Sequence, residues 1–430
     1  MIRIIKSIVS KLSREVTWVA LSQATSVIGS LAVLRLLTEA MAPALYGELT
    51  LALISSAAAS LIIYGPLGAG LSRLFPIAQA QDQMSNMLCG ISNLFAASIA
   101  ITLCVIFFLT YLSHVTDSPI SGPLLLAIAA HSAASGLSFL TQSIQNAARA
   151  RKLVSIQTII EVSLRATLCA IAISVESATP TLIISGYAIA AFISAIFQIY
   201  NIDKIQRMRQ WNISAEWARK IFSLSWPFAI TGVFTFAHQS SDRWCLELFS
   251  TRDVVGQYAV ALAVSTLPIT LIVSFLNVLI TPIFYSIAGD GADADRQRKA
   301  SRLLWRVTIT FAIFSFSLGA LSIFFHRQLF TLLVGEEFTE FSWMIPILIT
   351  GAGLFHSGQL LSMHCMIYMR ANDLLLPRVG SCLIGIMINF VMIDLGGAGG
   401  AAIANVLFGA GYFVWVMLIS RSGKQPSQRG

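Results

Sequence analysis

Residues 221–288 read IFSLSWPFAITGVFTFAHQSSDRWCLELFSTRDVVGQYAVALAVSTLPITLIVSFLNVLITPIFYSIA. The stretch divides into two long apolar runs around a polar corner, Ser250-Thr251-Arg252-Asp253. Inside the first run lie Asp242 and Arg243, with His238 one helical turn before and Glu247 one turn after. A charge at mid-bilayer costs about 2.5–3.5 kcal/mol even on the lenient insertion scale. A run this apolar carries three charges only where they face protein or water. The segment predicts two membrane helices of a polytopic protein with a polar interior.

The rest of the chain agrees. Of its 430 residues, 56% are hydrophobic and 11% charged, against about 25% charged in soluble domains. Apolar runs recur along the whole length, so the fold class is all-α and membrane-spanning; a barrel would show short alternating segments. Twelve spans are expected, at roughly 15–37, 44–74, 84–113, 119–148, 153–175, 179–201, 219–249, 253–287, 301–326, 339–369, 373–394 and 397–420. Pro66, Pro268, Pro282 and Pro346 fall inside spans and can kink them.

The basic residues are partitioned. Of 28 Lys and Arg, 23 fall in segments on the side of the N-terminus, and the other five are Arg35, Arg165, Arg243, Arg252 and Arg327. The opposite loops carry Glu39, Asp117, Glu176, Asp253, Glu336, Glu337 and Glu340. This pattern predicts cytoplasmic N- and C-termini. The net charge of +8 is then a topology signal and an attraction to anionic lipid, and nucleic acid is not an expected partner. The first apolar run is read as a retained span, not a cleaved signal. Six cysteines, none in a C-x-x-C pair, lie in apolar segments and read as packing residues.

An internal repeat divides the chain. Residues 44–53 align with 253–262 at an offset of 209, matching Gly47 to Gly256, Ala52 to Ala261 and Leu53 to Leu262, and Arg35 falls within one residue of Arg243. Both segments follow the first span of a six-span half, so the halves share one orientation. The expected organisation is a lobe over 1–200, a cytoplasmic linker over 201–218, a second lobe over 219–420 and a tail over 421–430.

Three groups of residues resemble a known family. They are Ala32-Val-Leu-Arg-Leu-Leu37 with Leu45-Tyr-Gly-Glu48; Ser241-Asp-Arg243 with Val255-Gly-Gln-Tyr258; and Leu333-Val-Gly-Glu-Glu-Phe338 with Leu395-Gly-Gly-Ala-Gly-Gly-Ala-Ala-Ile-Ala404. In order and spacing they resemble the polysaccharide (oligosaccharide) flippases of the multidrug/oligosaccharidyl-lipid/polysaccharide exporter superfamily. Thr38-Glu-Ala-Met-Ala-Pro43 departs from that family's usual Gly-Pro corner. The resemblance implies two pseudo-symmetric six-helix lobes around a central cavity, working by alternating access. It implies a polyprenyl-diphosphate-linked oligosaccharide as cargo, moved to the outer leaflet of the bacterial inner membrane for O-antigen, capsule or exopolysaccharide. Polysaccharide polymerase and chain-length machinery are the partners it would suggest.

Such a cargo needs cations for its diphosphate, and arginine offers a planar two-bond fork. Arg165 lies deepest, with Glu161 four residues before it, where the two can bridge on one helix face. A cargo clamp and a self-satisfied structural pair are equally consistent with that spacing. Arg243 has Asp242 and His238 nearby; Arg35 sits closer to a span end, where snorkelling to the interface suits it. Gln142, Gln145 and Asn146 form a polar patch in span four, suited to sugar contact or to interhelical hydrogen bonds. No P-loop is present, so an ion gradient is the expected energy source, with Glu161 or Asp242 as coupling acid. Phosphate binding to Arg165 would free Glu161 to take a proton, and Asp242 could act likewise with Arg243.

Other signals carry less. Asp293-Ala-Asp295 spells a glycosyltransferase D-x-D but reads as solvated loop; Gly65 to Gly70 lies inside a span and is no dinucleotide loop; His356 and His364 read as packed histidines. No metal or cofactor site is expected. The rival readings are a drug or small-molecule exporter of the same superfamily, and a membrane polymerase or glycosyltransferase. Against the enzyme stands the longest outer loop, expected at about 12 residues between spans nine and ten. Topology is testable directly: single cysteines at positions 10, 205 and 425 should label from the cytoplasm, and those at 117, 252 and 337 from outside. Joint cytoplasmic labelling of 337 and 425 would break the twelve-span arrangement.

Overall fold

The computed structural model describes residues 2–115, 122–175, 178–206, 214–288, 293–368 and 370–421. Among them every regular element is helical. Among the described residues, eleven helices are long and apolar enough to cross a membrane. The last, Leu375–Arg421, is two helices joined at Gly397, whose φ of 52° and ψ of −134° are not helical. Divided there, the segments number twelve. Glycine suits the position because a side chain at positive φ is strained.

Span one is Ile2–Ala40, span two Pro43–Ala80, span three Met84–Val115, span four Gly122–Ala147, span five Arg151–Val175 and span six Pro180–Gln206. Span seven is Ala215–Phe249, span eight Arg252–Ala288, span nine Ala294–Leu333 and span ten Glu336–Ile367. Spans eleven and twelve meet at Gly397. Hydrocarbon offers backbone groups no partner, so each span must satisfy its own as a helix.

Two boundaries differ from the sequence expectation. Span nine runs on to Leu333 and span ten begins with a 3-10 turn at Glu336, so their connection shrinks from about 12 residues to Val334 and Gly335. Met41-Ala42 and Ser250-Thr251 make corners just as short. In span two a π-turn at Ser60–Tyr64 precedes Gly65-Pro66. Pro66 has no N–H to give to the turn before it, and the wider turn absorbs the mismatch without ending the span.

The chain forms two compact units, residues 1–236 and 237–430. In the first, Tyr64, Leu71 and Phe75 of span two and Met87 of span three pack with Trp217 and Ile221 of span seven. The Trp217 indole also donates to Gln83 Oε1 at 2.9 Å. A second apolar group joins Leu37, Leu49, Leu124, Cys169, Ile183 and Ile184 from spans one, two, four, five and six. In the second unit, Phe284, Leu304 and Ile367 hold spans eight, nine and ten together, and Leu361, Tyr412 and Val416 hold ten to twelve.

Tyr64 is fully buried, and its ring lies against Gly136 of span four, where an added Cβ would meet a ring carbon at 2.2 Å. Overpacking of this kind costs about 1–3 kcal/mol. Gly136→Ala should therefore lower the melting temperature in detergent, and Tyr64→Leu added to it should restore part of the loss. Unchanged melting of Gly136→Ala would contradict this packing.

Candidate functional site

Among the described residues, each unit holds a polar centre built on an ion pair within a span. The second unit encloses a cavity of about 420 Å³ between spans seven, eight, ten, eleven and twelve. Its polar wall is His238, Gln239, Asp242 and Arg243 from span seven, Tyr258 from span eight, His356 from span ten, Asn389 from span eleven and Asn405 from span twelve. Phe355 and Phe408 supply aromatic surface.

Asp242 is its most constrained member. Oδ1 accepts from the Arg243 backbone N–H at 2.8 Å and from Arg243 Nε at 3.1 Å; Oδ2 accepts from the Tyr258 hydroxyl at 3.1 Å. Arg243 also donates to the Gln239 carbonyl. A fully buried tyrosine and an adjacent guanidinium thus offset the desolvation of the carboxylate. One residue earlier, Ser241 Oγ accepts from Asn389 Nδ2 at 2.7 Å, tying span eleven to the same turn. The His238 ring packs on Phe408 with centroids 3.6 Å apart and planes tilted by 35°. That contact exists because span eleven has glycine at 385, where a Cβ would lie 2.5 Å from His238 Nδ1.

The first unit holds Glu161 and Arg165 as an ion pair on span five. Ser138 Oγ of span four donates to Glu161 Oε2 at 2.9 Å and accepts from Gln157 Nε2 at 3.1 Å. Gln198 Nε2 of span six donates to the Ser138 carbonyl at 3.4 Å. The Arg165 guanidinium lies 5.5 Å over the Tyr187 ring, within cation–π range. The pair is not closed: about a third of the Arg165 side chain is exposed, and its Nε has no hydrogen-bond partner. Neither do the side-chain oxygens of Gln157, Gln198 and Ser194, nor either end of the Gln145 amide. A buried polar group left unsatisfied costs about 1–3 kcal/mol.

Of the residues singled out from sequence, Asp242 and Arg243 share the cavity of the second unit, and Glu161 and Arg165 pair in the first. Arg35 pairs with Glu39 one turn on, near the end of span one, with both side chains more than a third exposed. Gln142 is partly buried on span four. Arg243 could have bridged to Glu247 at i+4 but turns to Asp242, and Glu247 takes Arg252 at 2.9 Å. His356 lines the cavity, whereas His364 packs on Tyr368 at 4.7 Å. Asp293 caps span nine, its Oδ1 accepting from the backbone N–H groups of Asp295 and Arg296 at 2.8 and 3.2 Å. The expected site residues did not include Ser138, Gln157, Gln198, Tyr258, Asn389 or Asn405. Gln157, one turn before Glu161, was the one whose spacing could have revealed it.

The family described as polysaccharide biosynthesis protein matches residues 12–287, more than half of the chain. The chain belongs to that family. No protein of curated function matches its sequence. Among solved structures it resembles the lipid II flippase MurJ in an inward closed conformation, with a TM-score of 0.73 at 12% identity over 93% of this chain and 86% of that one. An inward-facing multidrug resistance MATE transporter of the MOP superfamily gives 0.64 at 13%, over 95% of both chains. A MOP superfamily transporter from Pyrococcus furiosus, described by the reverse polarity of its binding pocket, gives 0.62 at 12%, again over 95% of both. At these identities the likeness fixes the fold: an all-α polytopic chain with pseudo-symmetric halves.

The Asp242 contacts are testable through stability. Tyr258→Phe removes one hydrogen bond to a buried carboxylate, worth about 1.5–3 kcal/mol. It should lower the melting temperature in wild-type background and much less in Asp242→Asn. Equal losses in both backgrounds would show that the two side chains are not coupled.

Proposed function

We propose that this member of the polysaccharide biosynthesis family is a flippase for polyprenyl-diphosphate-linked oligosaccharide repeat units. It carries them from the cytoplasmic to the outer leaflet of the bacterial inner membrane, for surface polysaccharide, with both its termini in the cytoplasm. It acts as a transporter and not as an enzyme. Its working parts are the lobes over 1–200 and 219–420, the linker 201–218 and the tail 421–430. The observation that carries the reading is the family match over residues 12–287, joined to a fold shared with a protein named a lipid flippase.

The chemistry of the two centres supports it. Arg165 keeps an unpaired Nε and an exposed edge while paired to Glu161. Diphosphate binding there exchanges one anion for another and costs less than burying a new charge. The cation leaves Glu161 as cargo arrives, and the carboxylate takes up a proton. Arg243 offers a second clamp, and Asp242 beside it a second coupling acid. The amides of Gln239, Asn389 and Asn405 present donors and acceptors to sugar hydroxyls. Arg35, held by Glu39 near a span end, contributes less.

A small-molecule exporter is the second reading, favoured by the MATE transporters among the fold's neighbours. Proteoliposomes separate the two, loaded either with a fluorescent lipid-linked oligosaccharide or with a cationic dye. Flipping of the lipid is expected, and dye transport without it would overturn the proposal. Arg165→Gln and Arg243→Gln should each slow flipping roughly ten- to a hundredfold, the worth of a charge-assisted hydrogen bond. Lysine should recover only part, and Arg35→Gln should be milder. Wild-type rates in both severe variants would remove the phosphate clamp. Glu161→Gln or Asp242→Asn should abolish the effect of an imposed ion gradient. If both variants keep that dependence, neither acid couples.

A further inference from the structure

The polar groups around Glu161 extend well beyond what its pairing with Arg165 needs. Gln157 and Gln198 converge on Ser138 from spans five and six, one donating to its hydroxyl and the other to its carbonyl. Each uses its amide N–H and leaves its carbonyl oxygen unpaired, and both residues are at most 1% exposed. Ser194 lies one turn from Gln198 on the same face of span six; it is fully buried and its hydroxyl is unpaired. Gln145, 1% exposed, lies two turns from Ser138 on the same face of span four, about 10 Å nearer the helix end, with both amide ends unpaired.

These positions are ordered along the helices. Gln145 is closest to the basic connection Arg149-Ala-Arg-Lys152. Gln157, Gln198 and Ser138 form the next level. Glu161 and Ser194 lie one turn deeper on antiparallel spans. Buried oxygens and amides left without partners along one set of helices are what ordered water bridges, each molecule taking two to four polar neighbours. A dry apolar core would have aliphatic residues at these places, as span six has at Ile183, Ile184 and Ala191.

We infer that spans four, five and six enclose a file of buried water. It runs from the Arg149–Lys152 end past Gln145, Gln157 and Gln198 to Glu161, and a proton reaches that carboxylate along it. The proton route rests on the coupling role proposed for Glu161; the water file does not. The step is a proton transfer. The water beside Glu161 gives up an O–H bond as the carboxyl O–H forms, each water behind it passes a proton forward, and hydronium in the bulk at the basic end supplies the last proton and is left as water. Beside the acceptor stand Arg165 on its own span and the Ser138 hydroxyl of span four; the Arg165 guanidinium lies over Tyr187 of span six, whose ring neighbours His131 of span four. Span one presents Gly29, packed on Val162. His131 Nδ1 is 2.8 Å from Ser56 Oγ, its Nε2 is unpaired, and its ring centroid is 6.0 Å from that of Tyr187. The polar column therefore continues past the ion pair.

The test needs no cargo for its first arm. In a background without the six native cysteines, Ser194→Cys is compared with Ile184→Cys, both sites being fully buried on span six. Inverted membrane vesicles, with the basic end outside, are treated with silver ion, a thiol probe small enough to travel with water. Remaining thiols are counted with a fluorescent maleimide after unfolding. Block of position 194 at least tenfold faster than of 184 is expected; equal inertness overturns the water file. In the second arm, Gln157→Leu with Gln198→Leu should slow proton-gradient-driven flipping at least tenfold while leaving the Kd for the lipid-linked saccharide within twofold. Gln198→Met alone should act in the same direction, which covers poor folding of the pair. A wet position 194 with wild-type gradient-driven flipping in both variants overturns the proton route alone. Failure of the wild type to flip lipid overturns the cargo reading and leaves the silver result standing.

Discussion

A charge that enters hydrocarbon must bring its partner with it, and both centres of this protein are built on that constraint. The two solutions differ. Glu161 and Arg165 lie one turn apart on a single helix, so their pairing forms with the helix itself and asks little of the neighbours. Asp242 and Arg243 are sequence neighbours that diverge by a hundred degrees around the helix, and Asp242 needs the Tyr258 hydroxyl from span eight to complete its shell. The first pair can therefore exchange partners while its helices stay packed. The second is locked to the contact between spans seven and eight.

The internal repeat shows what was added to make the second centre. Counted from the paired arginines, Arg35 and Arg243, the residue before each is Leu34 in the first half and Asp242 in the second. Counted from the paired glycines, Gly47 and Gly256, the residue two further on is Leu49 or Tyr258. Leu34 and Leu49 are both buried, at 4% and 1% exposure. The polar contact of the second half thus occupies the places of two leucines in the first, and one backbone plan carries either chemistry.

Much of the fold was legible because hydropathy and span length are imposed by the bilayer, and residue type reports both directly. Span ends agreed closely where a polar corner was short, as at Ser250-Thr251. They failed at Leu333, where the helix continues through His326-Arg327-Gln328, residues polar enough to read as loop but helical at an interface. The π-turn at Ser60–Tyr64 had no signature beyond the following Gly-Pro, since a one-residue widening leaves composition unchanged. The site was legible only through its charges. Ser138, Gln157 and Gln198 are small or neutral polar residues of a kind common in membrane helices, and only the packing of spans four, five and six distinguishes them from ordinary glue. Asn389 was hidden the same way: its partner Ser241 lies 148 residues off in the chain.

The corners at Met41-Ala42, Ser250-Thr251 and Val334-Gly335 each leave two residues between helices. A connection that short reaches about 7 Å at full stretch, little more than one helical turn. Spans one and two, seven and eight, and nine and ten are thereby clipped together at one end like the arms of tweezers. Within a pair, sliding is arrested at the clipped end, while a few degrees of splay there become a wide gape about 50–60 Å away along helices of this length. Leverage in this molecule accumulates at the end opposite its tight corners, and insertions that lengthen a corner would turn it into slack.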